Sequence, residues 1–385
     1  MNQEHSKLDI IIETKELAHA LTFANSVVER RNIISELSNI KLSVENNFLE
    51  IIATDMDIML SQKIGANILS NGKITVSTIL LTEIAKKIPD KEIKLRESAI
   101  SEELEVIGKN CDFRLLTLPV AQFPSMENID TEASLKISCR ELSRIIEHTQ
   151  FAISLEESRY HLNGIYLHAE DNKFIAASTD GHRLSVSYIS LDSNTKEFGV
   201  ILPRKTVAEI SKIIKDSKNI RSEIEIFLGI NKVKFVCNNI IMISKLIDGT
   251  FPEYKAFVPT NNANKFMVNS KYLQEAIERV ATVTADKFRA IKICLNKDET
   301  QITASGEAKG AAKEVLNYSQ DKNCFCSYQG EENIMVGFNP KYLLDVLSVL
   351  KNEIVEFYFN DSSSPVLIKV ADRHNDSFVI MPVKV

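Results

Sequence analysis

The chain repeats itself. A β-like run leading into an amphipathic stretch, "IIIETKELAHALTFANSVV", returns as "LKISCRELSRIIEHTQFAIS" and again as "KFMVNSKYLQEAIERVATVT", with Leu17, Leu142 and Leu273 in matching places. Each time a strand, a polar turn and a second strand follow, the turns being Asn46–Asn47, Glu170–Asn172 and Lys297–Glu299. The second strands end in "IIATD", "IAASTD" and "ITASG", so Asp55, Asp180 and Gly306 correspond, about 125 residues apart each time. A second helical phrase comes next ("STILLTEIAKKI", "PRKTVAEISKII", "PKYLLDVLSVLK"), then alternating strands, and the repeats close with "LLTLPVAQFP", "SKLIDGTFP" and "FVIMPVKV". A period this long means tandem units, each with its own helix faces and strands. The expected architecture is α+β, with three domains in a row over residues 1–130, 131–259 and 260–385. Polar, proline-punctuated linkers, "FPSMENIDTEAS" and "FPEYKAFVPTNNANK", separate them. The third repeat departs once, in "GEAKGAAKEVLNYSQDKNCFCSYQGEEN", about ten residues longer than its equivalents and expected to be an extended loop or hairpin.

The repeat bears on the most site-like phrase in the chain, "ASTDGHRLSV". Its Thr179 and Asp180 align with Thr54 and Asp55, so the pair reads as turn chemistry at a strand end, where short polar side chains bond their own backbone. His182 stands in one repeat only. No Ser/His/Asp set, His-Glu-x-x-His helix or paired-acid cluster accompanies it. With 12 glycines the chain has neither a G-x-x-x-x-G-K-[ST] loop nor a G-x-G-x-x-G turn, so no catalytic residue, cofactor or ATP site is expected. Cys111, Cys139, Cys237, Cys294, Cys324 and Cys326 are scattered, and "NCFCSY" lacks a second Cys/His pair at zinc spacing, so they are expected to be reduced thiols without metal. The N-terminal "MNQEHSKLDI" has no signal-peptide character and no apolar run reaches membrane-span length; a cytoplasmic protein without membrane contact is expected.

Net charge is −6, which argues against a surface that is basic all over and leaves room for a local basic lining. In "CRELSRIIEHTQF", Leu142, Ile145, Ile146 and Thr149 form a buried stripe, while Arg140, Arg144 and His148 fall four apart on another face. The second helix of that repeat sets Arg204, Lys205, Lys212 and Lys215 outside its apolar side of Val207, Ile210 and Ile214. Lys86 and Lys87, and Lys271 and Lys351, extend the pattern to the other repeats. Each helix alone reads equally well as a solvated face. Their recurrence favours one shared positive surface making sequence-independent phosphate contacts, since no stacking platform or recognition helix accompanies it.

The repeat, with "YHLNGIYLHAE", "ASTDGHRLSV", "SKLIDGTFPEYKAFVP", "GFNPKYLLDVLSVL" and the terminal "VIMPVKV", resembles the bacterial DNA polymerase III β subunits, the sliding-clamp family, over essentially the whole chain. The resemblance implies a head-to-tail homodimer closing into a ring, helices inside and antiparallel sheets outside, around double-stranded DNA. It implies a non-catalytic processivity factor, loaded by an ATP-using clamp loader. It also implies a groove between the second and third domains for short linear motifs of the replicative polymerase α subunit, other polymerases and repair proteins. By matching motif, the groove takes Leu162, Thr179, Gly181, His182, Arg183, Leu184, Pro252, Phe257, Asn339, Tyr342, Val379, Met381, Pro382 and Val383. DNA contacts fall on Arg31, Arg159 and Tyr160, beside the helix residues Arg140, Arg144, Arg204, Lys205 and Lys212, and the subunit seam on Leu115 and Val283. The chain departs from the family pattern at Ala256 and Phe257, in the tail "MPVKV", in "VSTILLTEI" and at Glu156, so a shallower or reshaped groove is expected. A hydrolase built on Asp180 and His182 would leave the repeat idle, and a scaffold without DNA would leave the basic helix faces as coincidence.

Overall fold

The computed structural model describes residues 7–28, 35–45, 47–125, 129–191, 196–284, 290–306 and 310–384. Each repeat opens with a strand that runs without a break into a helix. Strand Asp9–Glu13 enters α1 (Thr14–Val27), and the second helix of that repeat is α2 (Thr78–Lys87). Strand Ala133–Ser138 enters α3 (Cys139–Thr149), with α4 (Arg204–Lys215) later; strand Asn264–Asn269 enters α5 (Ser270–Ala281), with α6 (Pro340–Val349) later. Short polar residues set several of these starts. Ser138 accepts from the Glu141 backbone N–H at 3.1 Å and donates to the Glu141 carboxylate at 2.9 Å, a reciprocal pair close to a capping box. Asn269 caps α5 through Tyr272 N–H, and Asn339 caps α6 with Pro340 in the first turn, where its missing N–H leaves no bond unmade. The apolar stripe read from the sequence is the buried one: Leu142, Ile145 and Ile146 are inaccessible.

Two compact units emerge, and they do not follow the repeats: residues 1–143 with 205–246, and residues 144–204 with 247–385. Strand pairing explains the split of the second repeat. In the first unit its last strand, Ile240–Lys245, pairs antiparallel with Ile58–Gly65 of the first repeat, making one sheet of 13 described strands. In the second unit the last strand of the third repeat, Arg373–Ile380, pairs with Arg183–Ser190 of the second, in a sheet of nine. A four-stranded sheet in that unit runs Gly310–Asn317, Glu299–Gly306, Ile291–Leu295, Ile334–Phe338. Its inner face packs Ile291, Ile293 and Ile302 with Leu273, Ala276, Ile277 and Val280 of α5 in one apolar cluster. The long segment of the third repeat is strand rather than loop: Gly310–Asn317 pairs with Glu299–Gly306, and Cys326–Gln329 pairs with Asn264–Asn269. Strand Asn67–Ser70 pairs with Asp9–Glu13 in the same way and has the same four residues as Cys326–Gln329, so the third repeat keeps both strands and lengthens the connection between them, residues 318–325 against residue 66 alone.

Candidate functional site

The Thr-Asp phrase is a turn in both repeats that carry it. Asp180 Oδ1 accepts from the backbone N–H of His182 and Arg183, each at 3.0 Å, while Thr179 Oγ1 accepts from Gly181 N–H. Asp55 and Thr54 make the same three bonds to Asp57, Ile58 and Met56. The middle residue has positive φ in each, 86° at Gly181 and 78° at Met56, and only glycine adopts it without strain. Among the described residues no acid or nucleophile bonds the His182 ring, which stacks on Tyr342 with centroids 6.3 Å apart.

That turn walls a pocket of about 530 Å³ within the second unit. Leu162, Thr179, Gly181, His182, Arg183, Leu184, Pro252, Phe257, Val379 and Met381 line it. Strand pairing brings the two ends of the set together, with Leu184 opposite Val379 and Met381 N–H donating to His182 C=O at 2.9 Å. Asn339, Tyr342, Pro382 and Val383 are not among its lining residues. Asn339 spends its side chain capping α6, Tyr342 packs beneath Arg183, and Val383 N–H bonds Gly337 C=O. Ala256, read from the sequence as a departure at the groove, lines the pocket, and sequence reasoning missed Tyr254 and Val258–Asn262, together with Asn360, Ser364 and Pro365, which extend it. An aromatic in a proline-rich linker was the available signal for Tyr254.

The pocket has a rigid apolar backing. Leu162, Ala177, Leu184, Ile201, Phe251, Tyr254, Leu367 and Val379 form one cluster, with Tyr166 and Val186 packed on it. Phe251 stacks face to face on Tyr166, centroids 5.0 Å apart, and Tyr166 stacks on His168. The Tyr254 hydroxyl lies 3.1 Å from His168 Nε2, and burial pushes that phenol up. Burial also drives the His168 pKa down to about 4, so the imidazole is neutral at physiological pH. Arg183 anchors the wall: its guanidinium reaches Asp345 at 2.6 Å, Asp180 at 3.1 Å and the Phe151 carbonyl at 2.5 Å, and stacks over Tyr342 at 4.6 Å. The backing is apolar and the Arg183 guanidinium is already paired, which suits reversible burial of bulky side chains.

The expected DNA-contacting residues fare unevenly. Arg31 lies outside the described residues. Arg140 and Arg204 are exposed, with no carboxylate partner among the described residues. Lys205 pairs with buried Asp55, and Lys212 with Glu209 at 2.7 Å. Arg144 is a correction. Its guanidinium is committed to fully buried Asp376 at 2.9 Å and to the Tyr188 carbonyl at 2.7 Å, a pairing that offsets the cost of burying both charges. Asp376 also accepts from Ser187, and His148 Nδ1 lies 2.9 Å from it, off the direction of a hydrogen bond. Burial alone would raise the Asp376 pKa; His148, Ser187 and Arg144 outweigh it and hold it low. Arg159 pairs with Glu156 at 3.2 Å, and its Nη1 is so close to Gly181 that a Cβ there would meet it at 2.9 Å, which sets this residue beside the pocket. Tyr160 is exposed. At the expected seam, Leu115 points into its own core, whereas its neighbours Phe113 and Leu116 are exposed at 37% and 79%. Val283 is half-buried against the α5 cluster.

Comparison with known proteins decides the family. Models of the DNA polymerase III beta subunit match in chain order: the N-terminal domain over residues 8–127, the central domain over 136–253 and the C-terminal domain over 255–384. The chain belongs to the β sliding clamp family. The beta sliding clamp of Rickettsia bellii is 55% identical over 98% of this chain and all of its own length, and that of Caulobacter vibrioides is 34% identical over 98% of this chain and all of its own. Among solved structures, a Pseudomonas aeruginosa sliding clamp bound to griselimycin superposes with a TM-score of 0.92 at 30% identity, over 98% of this chain and all of that one. A Caulobacter crescentus clamp with polyethylene glycol at its putative β-motif tethering region gives 0.91 at 34%, over 99% and 100%. As a sliding clamp the chain is a non-catalytic processivity subunit of DNA polymerase III. No helix among the described residues is long and apolar enough to cross a membrane.

Proposed function

We propose that two copies of this chain close head to tail into a cytoplasmic ring of six clamp domains, over residues 1–130, 131–259 and 260–385 of each, around duplex DNA, and that the pocket beside Gly181 holds short motifs of the clamp loader, polymerases and repair proteins. One observation carries the reading. The third strand after the first helix of a repeat pairs with the last strand of the next repeat: Ile58–Gly65 with Ile240–Lys245, and Arg183–Ser190 with Arg373–Ile380. The third repeat's counterpart, Gly310–Asn317, has one edge open among the described strands. The last strand of the first repeat, Asp112–Leu118, meets a second neighbour only at Thr117 and Leu118. An open edge at each end of a repeating series is the condition for a heterologous joint that closes when the rotation does, and closure removes both edges.

Within such a ring, Arg140, Arg204 and Lys86 are the helix cations we assign to DNA, with Lys205 and Lys212 contributing after exchange from Asp55 and Glu209. Contacts of this sort are weak and screened, so the ring slides while topology retains it. In the pocket, two or three buried partner side chains contribute about 1.5–3 kcal/mol each, enough for micromolar exchange once the peptide is ordered. The joint is tested by Leu116→Asp. This residue is 79% exposed on the open strand, so the variant should keep its melting temperature while sedimenting as a monomer. A dimer that persists would put the joint elsewhere. Changing Leu115 would not separate the two effects, because its side chain belongs to the core.

A further inference from the structure

Cross-strand register aligns one position on the outer sheet face of every repeat. The row is Lys41–Ile52–Ser61 in the first, Tyr166–Ala177–Val186 in the second and Lys292–Thr303–Lys313 in the third. In the first two an aromatic from the following linker covers the row. Phe123 lies under the Lys41 ammonium, 5.5 Å from ring centroid to nitrogen, and Phe251 stacks on Tyr166. In the third, among the described residues, no ring, carboxylate or hydrogen-bond partner meets Lys292 or Lys313. The uncovered face is a depression of about 540 Å³ lined by Lys292, Thr303, Ser305, Ala311, Lys313 and Lys384. Its lining otherwise is alanine, serine and threonine, beside three lysines.

We propose that this face docks an acidic peptide segment flanking the motif held in the neighbouring pocket, an inference that rests on the peptide reading of that pocket. Two facts select the occupant. Met381 lines the first pocket and Lys384 the second, so at ~3.5 Å per extended residue the C-terminal segment joins them over about 10 Å, the reach of three or four residues of a bound peptide. The lysine row also lies on the side of its sheet away from α5, because Ile291, Ile293 and Ile302 take the α5 side and strand residues alternate. It therefore faces away from α5, and a carboxylate-bearing protein segment is the complement of the three lysines.

The test uses the full-length protein and four labelled peptides read by fluorescence anisotropy. One is a bare peptide with a Leu-Phe pair; two carry four aspartates at its N- or C-terminal end; the last carries four asparagines at the better end. At 50 mM salt one aspartate peptide should bind roughly five-fold tighter than the asparagine peptide, as a few exposed ion pairs allow. The gain should vanish at 500 mM salt and in Lys292→Glu with Lys313→Glu, a variant that should bind the bare peptide as before. Equal affinity for aspartate and asparagine extensions, or a gain that survives charge reversal, overturns the inference. So does a duplex oligonucleotide whose binding is lost in the double variant while the aspartates add nothing, since the face would then serve nucleic acid. Failure of the bare peptide to bind overturns the pocket reading itself.

Discussion

The outer faces of the second and third repeats occupy the same register and carry opposite chemistry. In the second, Tyr166, Ala177 and Val186 lie under Phe251 and Tyr254, and the sheet edge continues into strand Arg373–Ile380. In the third, lysines stand where Tyr166 and Val186 would be, nothing described covers them, and the edge is open. The backbone is shared; the occupant of each face follows from the side chains on one row and from the linker that does or does not cross it. A repeated fold can thus hold an apolar dock and a charged one without altering its core.

The contrast is broken most sharply by placing the same charge on both rows. Ala177→Lys buries an unpaired ammonium at an inaccessible site and should cost ~3–5 kcal/mol, lowering the melting temperature by roughly 10 °C. Thr303→Lys, on the uncovered row, should stay within about 0.5 kcal/mol of the parent. Equal losses would mean that the third face is covered after all.

Acid should act on the second face next. The folded pKa of His168 is about 4 against an ordinary 6.5, so the unfolded chain takes up the proton first. This group's contribution is complete above pH ~6.5 and is lost as pH falls toward 4, at up to about 1.4 kcal/mol per pH unit. Asp376, held below its ordinary value, adds a loss in the same direction at lower pH. Denaturant titrations from pH 7 to 4 should show that slope, and His168→Phe should flatten it; an unchanged slope in the variant would remove His168 from the account. The smallest effect is expected at the pocket lip. Phe257 is 64% exposed, so Phe257→Ala should leave stability alone and weaken a Leu-Phe peptide by about 1 kcal/mol, roughly five-fold. Full affinity in that variant would move the peptide away from the lip.

Much of this was legible in sequence because it is local or periodic. Thr179 and Asp180 make the turn their types favour, and Leu142, Ile145 and Ile146 take the buried side their spacing dictates. What escaped depends on partners far along the chain. Arg144 reads as one more exposed cation on a basic helix face until Asp376 is seen beside it. Leu115 and Leu116 are the same residue type on adjacent positions, and only strand pairing tells which enters the core. Tyr254 sits in a segment that reads as linker, yet its ring backs the pocket through His168. Lys292 alternates outward by simple strand periodicity; that it lacks the ring Lys41 has could be known only from the register.

The central claim is that the chain holds DNA by encirclement, and the most direct measurement is retention on a nicked circular plasmid after loading with the cognate clamp loader and ATP, followed by cutting at a single site. Encirclement predicts that the protein stays on the circle at physiological salt and is released once the DNA is linear. Equal retention on circular and linear DNA would mean local contacts hold it, and would contradict the ring.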